Sequence, residues 1–161
     1  MSKQHYQHLF AYSWHTTQQL LDKAAVLDEA ELHAPSDFVQ RSMHNSFFHI
    51  IATSRNWRTA LETGTQPPHM QSTGFESVEE LRRLVEEEAS AWQQLLAQLS
   101  DEEVDGNVNL TSLRGESMSI PRWLVMQHLI LHAMQHHTEL AALLTNKGLS
   151  PGDIDLIFYR G

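Results

Sequence analysis

Apolar positions recur with helical spacing in four stretches of the chain, and polar connections separate them. The first runs from about Tyr6 to Val26, with Leu9, Phe10, Leu20, Leu21 and Ala24 as apolar positions. The second opens near Ser42, a residue type whose hydroxyl caps helix N-termini, and reaches Thr63, where Gly64 and then Pro67 and Pro68 stop it. Phe47, Ile50, Ile51, Trp57 and Leu61 give it a helical period. The third is marked most clearly. Ser77 with Glu80 three residues on forms a capping box, and Leu81, Leu84, Val85, Trp92, Leu95, Leu96 and Leu99 share one stripe. From Ser100 to Ser119 the period breaks into "SDEEVDGNVNLTSLRGESMS", a long connection with room for a short extended excursion around Val108 to Leu113. Ser119 then reads as the cap of a fourth helix, with Pro121 in its first turn and an end at Lys147, before Gly148 and Pro151. That helix is roughly 27 residues, about 40 Å, long. No segment alternates as a strand should. The expectation is an all-α four-helix bundle in one domain, 1–161, which with its long connection between helices three and four need not follow simple up-and-down order.

Composition changes this picture in two respects. The chain has no cysteine, so disulfides, thiolate nucleophiles and Cys-based zinc sites are excluded, and His and carboxylates remain as the strong metal ligands. It also carries 11 histidines among 161 residues. The net charge of −9 disfavours a nucleic-acid partner, and Arg82 and Arg83 are ringed by Glu79, Glu80, Glu86, Glu87 and Glu88. The opening "MSKQHYQHLF" lacks a signal-peptide pattern, and no stretch is long and apolar enough for a membrane, so a cytoplasmic protein is expected.

Four of the histidines fall within "MQHLILHAMQHH", Met126 to His137. His132 and His136, four apart on a helix, share a face with Leu129, Leu140 and Leu143. An unpaired polar group buried there costs about 1–3 kcal/mol. A shared metal removes that cost for both rings, although the spacing also arises by chance in a His-rich helix. Ala133 follows His132, so the H-E-x-x-H of zinc proteases is absent, as are the Glu-x-x-His pairs of di-iron bundles. His49 lies among Phe47, Phe48, Ile50 and Ile51 on the second helix and completes a candidate three-nitrogen site with open coordination positions. His44, nearer the helix start, reads as exposed or as assisting the cap. His5, His8, His33 and His69 read as exposed, Tyr12 and His15 as sharing a face that can line the pocket, and Trp57 and Trp123 as core.

The segment "SMHNSFFHIIATSRNW" resembles the second helix of the DinB/YfiT-like superfamily, small bacterial bundles that include damage-inducible metalloenzymes. The matching positions are Ser42, Asn45, His49 and Trp57. The C-terminal half is similar as well, with a loop glycine at Gly115, histidines at His128, His132 and His136, and a closing Gly148, Pro151 and Asp155. The resemblance implies a four-helix bundle and His49, His132 and His136 as ligands of one divalent ion, zinc or nickel first, with iron or manganese also compatible. Two departures stand out. The Arg that follows the last ligand in many relatives is His137 here, which leaves the substrate class open, and an Asn before the second helical His is Leu131.

Three neutral imidazoles leave a cation most of its charge, so it can lower the pKa of water or a thiol. Characterised relatives join low-molecular-weight thiols to electrophiles, so the resemblance implies a thiol S-transferase acting on a small electrophile. Water as the nucleophile gives a hydrolase. His128, one turn before His132, and Glu139, near the His136 face, are candidate catalytic helpers. A different class of reading is a metal-binding dimeric scaffold or sensor without turnover. Met126, Ile130, Met134 and Ala141 form a second apolar strip beside the histidines, from which a homodimer is expected.

Overall fold

The computed structural model describes residues 2–37, 39 and 41–161. Four long helices, α1 (Lys3–Ala24), α3 (Met43–Thr63), α4 (Val78–Gln98) and α6 (Arg122–Asn146), carry the core. The connections hold two short helices, α2 (Glu29–His33) and α5 (Asp101–Asp105), and a hairpin of β1 (Asn107–Thr111) and β2 (Ser117–Pro121). Side chains capture the free N–H groups at most helix starts. Ser2 and Ser42 cap α1 and α3, and capping boxes join Asp28 to Glu31, Ser77 to Glu80 and Ser100 to Glu103. α3 stops at Gly64, whose φ of 74° is the left-handed conformation that a glycine adopts without strain and whose N–H returns to Ala60 O.

α1 packs against α4 and α6, and α3 packs against the same two helices. α1 and α3, the first two long helices, therefore occupy opposite corners of the bundle, and α6 lies between them. At the centre the Phe10 and Trp92 rings stack at 4.1 Å, and Trp92 Nε1–H donates to Ser54 Oγ at 2.7 Å, which ties α1, α3 and α4 together.

The long connection is more ordered than its sequence suggested. β1 and β2 pair antiparallel, with Val108 opposite Ile120 and Leu110 opposite Met118. Val108 and Leu110 are buried, and Met118 and Ile120 are half-buried. The room for an extended excursion around Val108 to Leu113 is thus filled by β1, while its pairing with β2 corrects the expectation that no segment alternates as a strand. "NVNLT" and "SMSIP" do alternate, but over five residues each, too short to stand out against the helical pattern. Ser119 is likewise not a helix cap. It lies in β2 opposite Asn109, and α6 begins at Arg122 after Pro121, with no side-chain cap. Thr111 N–H donates to Gly64 O and Gln66 N–H to Thr111 O, so the hairpin is stitched to the chain leaving α3.

After α6 the chain doubles back over α1. Tyr12 OH donates to Ile154 O at 2.6 Å and Gln19 Nε2 to Pro151 O at 2.9 Å. Tyr12 OH also lies 3.3 Å from Met134 Sδ. Met126 and Ile130 are buried in the chain's own core and Met134 and Ala141 are half-buried, so the second strip of α6 is mostly covered from within. Among the described residues no helix is long and apolar enough to cross a membrane.

Candidate metal centre

α3 supplies His49, and the adjacent helix α6 supplies His132 and His136. The apolar neighbours of His49, namely Phe48, Ile50 and Ile51, fix its helix face against the core. The α-helical repeat then places His132 and His136 one turn apart, facing it. His132 Nε2 lies 3.0 Å from His49 Nε2 and 3.3 Å from His136 Nε2. One potential ligand atom from each of the three residues falls within 4.8 Å of the others. Nitrogens bound at 2.0–2.1 Å to one ion with angles near 90–110° are separated by about 2.9–3.4 Å. The two measured separations fall in that range.

The donor set fits a cation better than it fits itself. Each hydrogen bond between two imidazole nitrogens consumes one proton and one lone pair, so three converging Nε2 atoms cannot all be satisfied by one another. A shared cation accepts all three lone pairs. His136 is buried, and its Nδ1 lies 2.7 Å from Glu139 Oε2. A proton on Nδ1, held by that carboxylate, leaves Nε2 as the lone-pair nitrogen. Burial, with the Arg41 charge and His136 next in weight, lowers the pKa of His49 to about 4. Burial and the surrounding histidines, with Arg41 adding a smaller push, lower that of His132 to about 4 as well. Both rings are therefore neutral near pH 7 and present unprotonated nitrogen.

Beside His49 a surface cleft of about 570 Å³ opens between α3 and the segment that follows it. Arg41, Asn45, Phe48, Thr53, Trp57 and Met70 are among its lining residues. Asn56 Nδ2 donates to Pro67 O at 3.0 Å and holds the far wall in place.

The remaining predicted residues sort as follows. His128 is exposed, with its ring 5.9 Å from that of His132 and 6.3 Å from that of Trp57, so it stands at the rim of the cluster. Glu139 is engaged with His136. Trp57 is half-buried and lines the cleft. Trp123 is half-buried, and its carbonyl accepts from Tyr6 OH at 3.1 Å. Tyr12 is buried beneath the C-terminal segment and His15 is exposed, and the Tyr159 ring lies against both. His5, His8 and His69 are exposed.

His44 is a correction. It is 1 % exposed, and its Nε2 lies 2.6 Å from Phe75 O. His33, read as exposed, is half-buried and stacks on His44 at 4.2 Å, with its Nε2 3.0 Å from Glu76 O. The two rings hold consecutive carbonyls of the segment entering α4, a tertiary arrangement that no local pattern announces.

Sequence reasoning missed two buried polar groups. Glu88 sits in the apolar stripe of α4 at 4 % exposure and receives both Nε and a terminal nitrogen of Arg58, at 2.9 and 2.8 Å. A carboxylate at a stripe position, needing a cation from a facing helix, was the available signal. His137 is fully buried, with Nε2 2.8 Å from Thr17 Oγ1. Thr17 spends its proton on Ser13 O, so the His137 ring is the donor in that contact. Position 137 is thus turned onto α1.

The sequence model of the DinB family matches residues 1–160. The chain belongs to the DinB family. Solved structures with the same fold include a DinB-like protein from Bacillus cereus, with a TM-score of 0.70, 15% identity and coverage of 92% of this chain and 94% of that one. YfiT from Bacillus subtilis, described as a probable metal-dependent hydrolase with an unusual four-helix bundle topology, gives 0.69 at 14% identity, with 92% and 90% covered. The DinB-like protein YjoA from Bacillus subtilis gives 0.68 at 16% identity, with 89% and 92% covered. No curated protein matches the sequence. At these identities the structural likeness concerns the fold, a DinB-type four-helix bundle, and the three-histidine cluster is read from this chain's own side chains.

Proposed function

We propose that this DinB-family chain is a metal-dependent enzyme in which His49, His132 and His136 hold one divalent cation and leave coordination positions for a small-molecule substrate. The carrying observation is the convergence of nitrogens from two helices at separations of 3.0 and 3.3 Å. The cation supplies positive charge that favours the ionised form of a nucleophile. The chain's own residues do the rest. Glu139 orients His136, the apolar flank of α3 keeps His49 fixed, and His128 stands exposed with its ring 5.9 Å from that of His132.

The nucleophile we favour is a low-molecular-weight thiol attacking a small electrophile, a thiol S-transferase reaction. The reading is supported by the resemblance in Ser42–Trp57 and in the histidines of α6. Water as the nucleophile is the second reading, favoured by the description of the relative YfiT as a probable metal-dependent hydrolase. A non-catalytic metal-binding scaffold or sensor is the third, and a site with every coordination position filled by protein would favour it; three histidines converge among the described residues.

Metal analysis of untagged protein after supplementation with zinc or nickel, followed by thiol-conjugation and ester-hydrolysis assays with and without the ion, decides among them. One ion per chain with ion-dependent conjugation is expected. No stoichiometric metal sinks the proposal, and metal without turnover of either kind supports the scaffold. We also propose a homodimer. Since the strip from Met126 to Ala141 is largely covered, the contact would use Leu124 and Leu131, seven apart on α6 and 45% and 62% exposed. A monomeric mass at high concentration overturns it.

A further inference from the structure

Resting on the metal reading above, the cleft beside His49 has a chemistry of its own. The chain carries 20 acidic residues, yet no carboxylate occurs among the described residues lining this cleft. Three other surface clefts differ. The one between α1 and α4 presents Glu86, the one beside α2 presents Asp28, Glu29 and Glu76, and the one below it presents Glu29, Glu79 and Glu80. The cleft beside His49 instead presents Arg41, with Asn45 and Thr53 as further polar lining and Trp57 and Met70 as apolar lining. Arg41 makes no ion pair or hydrogen bond with a described residue, while Arg58, Arg82 and Arg83 are each paired with acids. Arg55 reaches over the same rim, its guanidinium 3.8 Å from Met70 Sδ. Glu139, on the far side of His136, is turned onto that ring.

We infer that the substrate carries a carboxylate, which Arg41 binds while the reacting end of the molecule lies at the three histidines. A free guanidinium matches a carboxylate in a planar, two-point geometry, and a wall without acids removes the repulsion that an anion meets over the rest of a chain of net charge −9. One guanidinium and no lysine on the lining suit a single negative charge better than a phosphate dianion. The apolar side fits a short carbon chain between the two ends. Arg41 is thus a specificity residue, and its partner is chosen by charge.

The test uses the full chain loaded with cobalt(II), whose visible absorption bands shift when a ligand enters the coordination shell. It is titrated with succinic acid monohydroxamate and with butanohydroxamate, which share a metal-binding group and differ by a carboxylate against a methyl. The wild-type protein is expected to prefer the succinate compound by about ten-fold, the size of one partly exposed charge-assisted contact. Arg41→Gln should bring the succinate compound down to the affinity of butanohydroxamate, and Arg41→Lys should keep part of the difference. Equal affinities in the wild type, a preference untouched by Arg41→Gln, or bands that neither compound shifts overturn the inference. Failure to take up cobalt is seen before any hydroxamate is added, and it overturns the metal reading itself.

Discussion

His136 and His137 are sequence neighbours in unlike surroundings. One turns its Nε2 to the cluster and its Nδ1 to Glu139, while the other points into α1, where Thr17 is its partner and its own Nδ1 has none among the described residues. The helical step of about 100° between consecutive residues separates the two roles. Alanine at His49, His132 or His136 should each reduce bound zinc from one per chain to a small fraction, read by metal analysis of untagged protein. Glu139→Ala should keep one ion but bind it about 10–100-fold more weakly, because the ligand ring loses its orienting acceptor, and competition against a chelator of known affinity measures this. Unchanged affinity would reduce Glu139 to a surface group. The three clustered histidines were legible because His49 interrupts an apolar run and His132 and His136 share a helix face with Leu129, Leu140 and Leu143. His44 and His137 have polar sequence neighbours, and only their partners, Phe75 O and Thr17 Oγ1, show that their roles are structural.

At the scale of elements, α3 and α4 are joined by two polar contacts from the α4 stripe, the Trp92–Ser54 hydrogen bond and the Arg58–Glu88 ion pair. Arg58 and Glu88 are 14% and 4% exposed, and burial raises the Glu88 carboxyl above its ordinary range against the pull of Arg58. Removing Arg58 leaves the Glu88 carboxyl buried without its cation, whereas removing Glu88 leaves Arg58 its more exposed partner Glu62 at 2.8 Å. Arg58→Met should cost about 3–5 kcal/mol in urea denaturation, Glu88→Leu less, and the double variant much less than their sum. Additive losses would show that the pair is not a unit. The four long helices were legible from period and caps, above all α4 with its capping box. The hairpin was only half legible, since "VNL" and "MSI" alternate too briefly to be read until Gly64 and Gln66 are seen to pair with Thr111.

For the molecule as a whole, cation-free stability should depend on pH through neutral histidines. His49 and His132 are lowered to about 4, and burial lowers His137 to about 3, whereas an unfolded histidine protonates near 6.5. Between those values the unfolded chain binds more protons, so stability is complete above about pH 6.5 and is lost as the pH falls toward 3. The urea midpoint should be level from about pH 8 to 7 and drop steadily below 6, with a shallower drop in His137→Phe. A midpoint that rises on acidification would refute this. Corner order was the least legible feature, because which helices adjoin is decided by side chains meeting across the core, such as Phe10 on Trp92, and not by any one segment's period.

The position of α6 between α1 and α3 has one more consequence. His49 and His132 are 83 positions apart, and α4 and the hairpin lie in the span they enclose. A bound cation would act as a removable clasp on that span, in a chain that has no cysteine with which to make a permanent one. Stripping the ion should then quicken proteolytic nicking and amide exchange in α4 and the hairpin, so that scarcity of metal would shorten the lifetime of the protein as well as silence it.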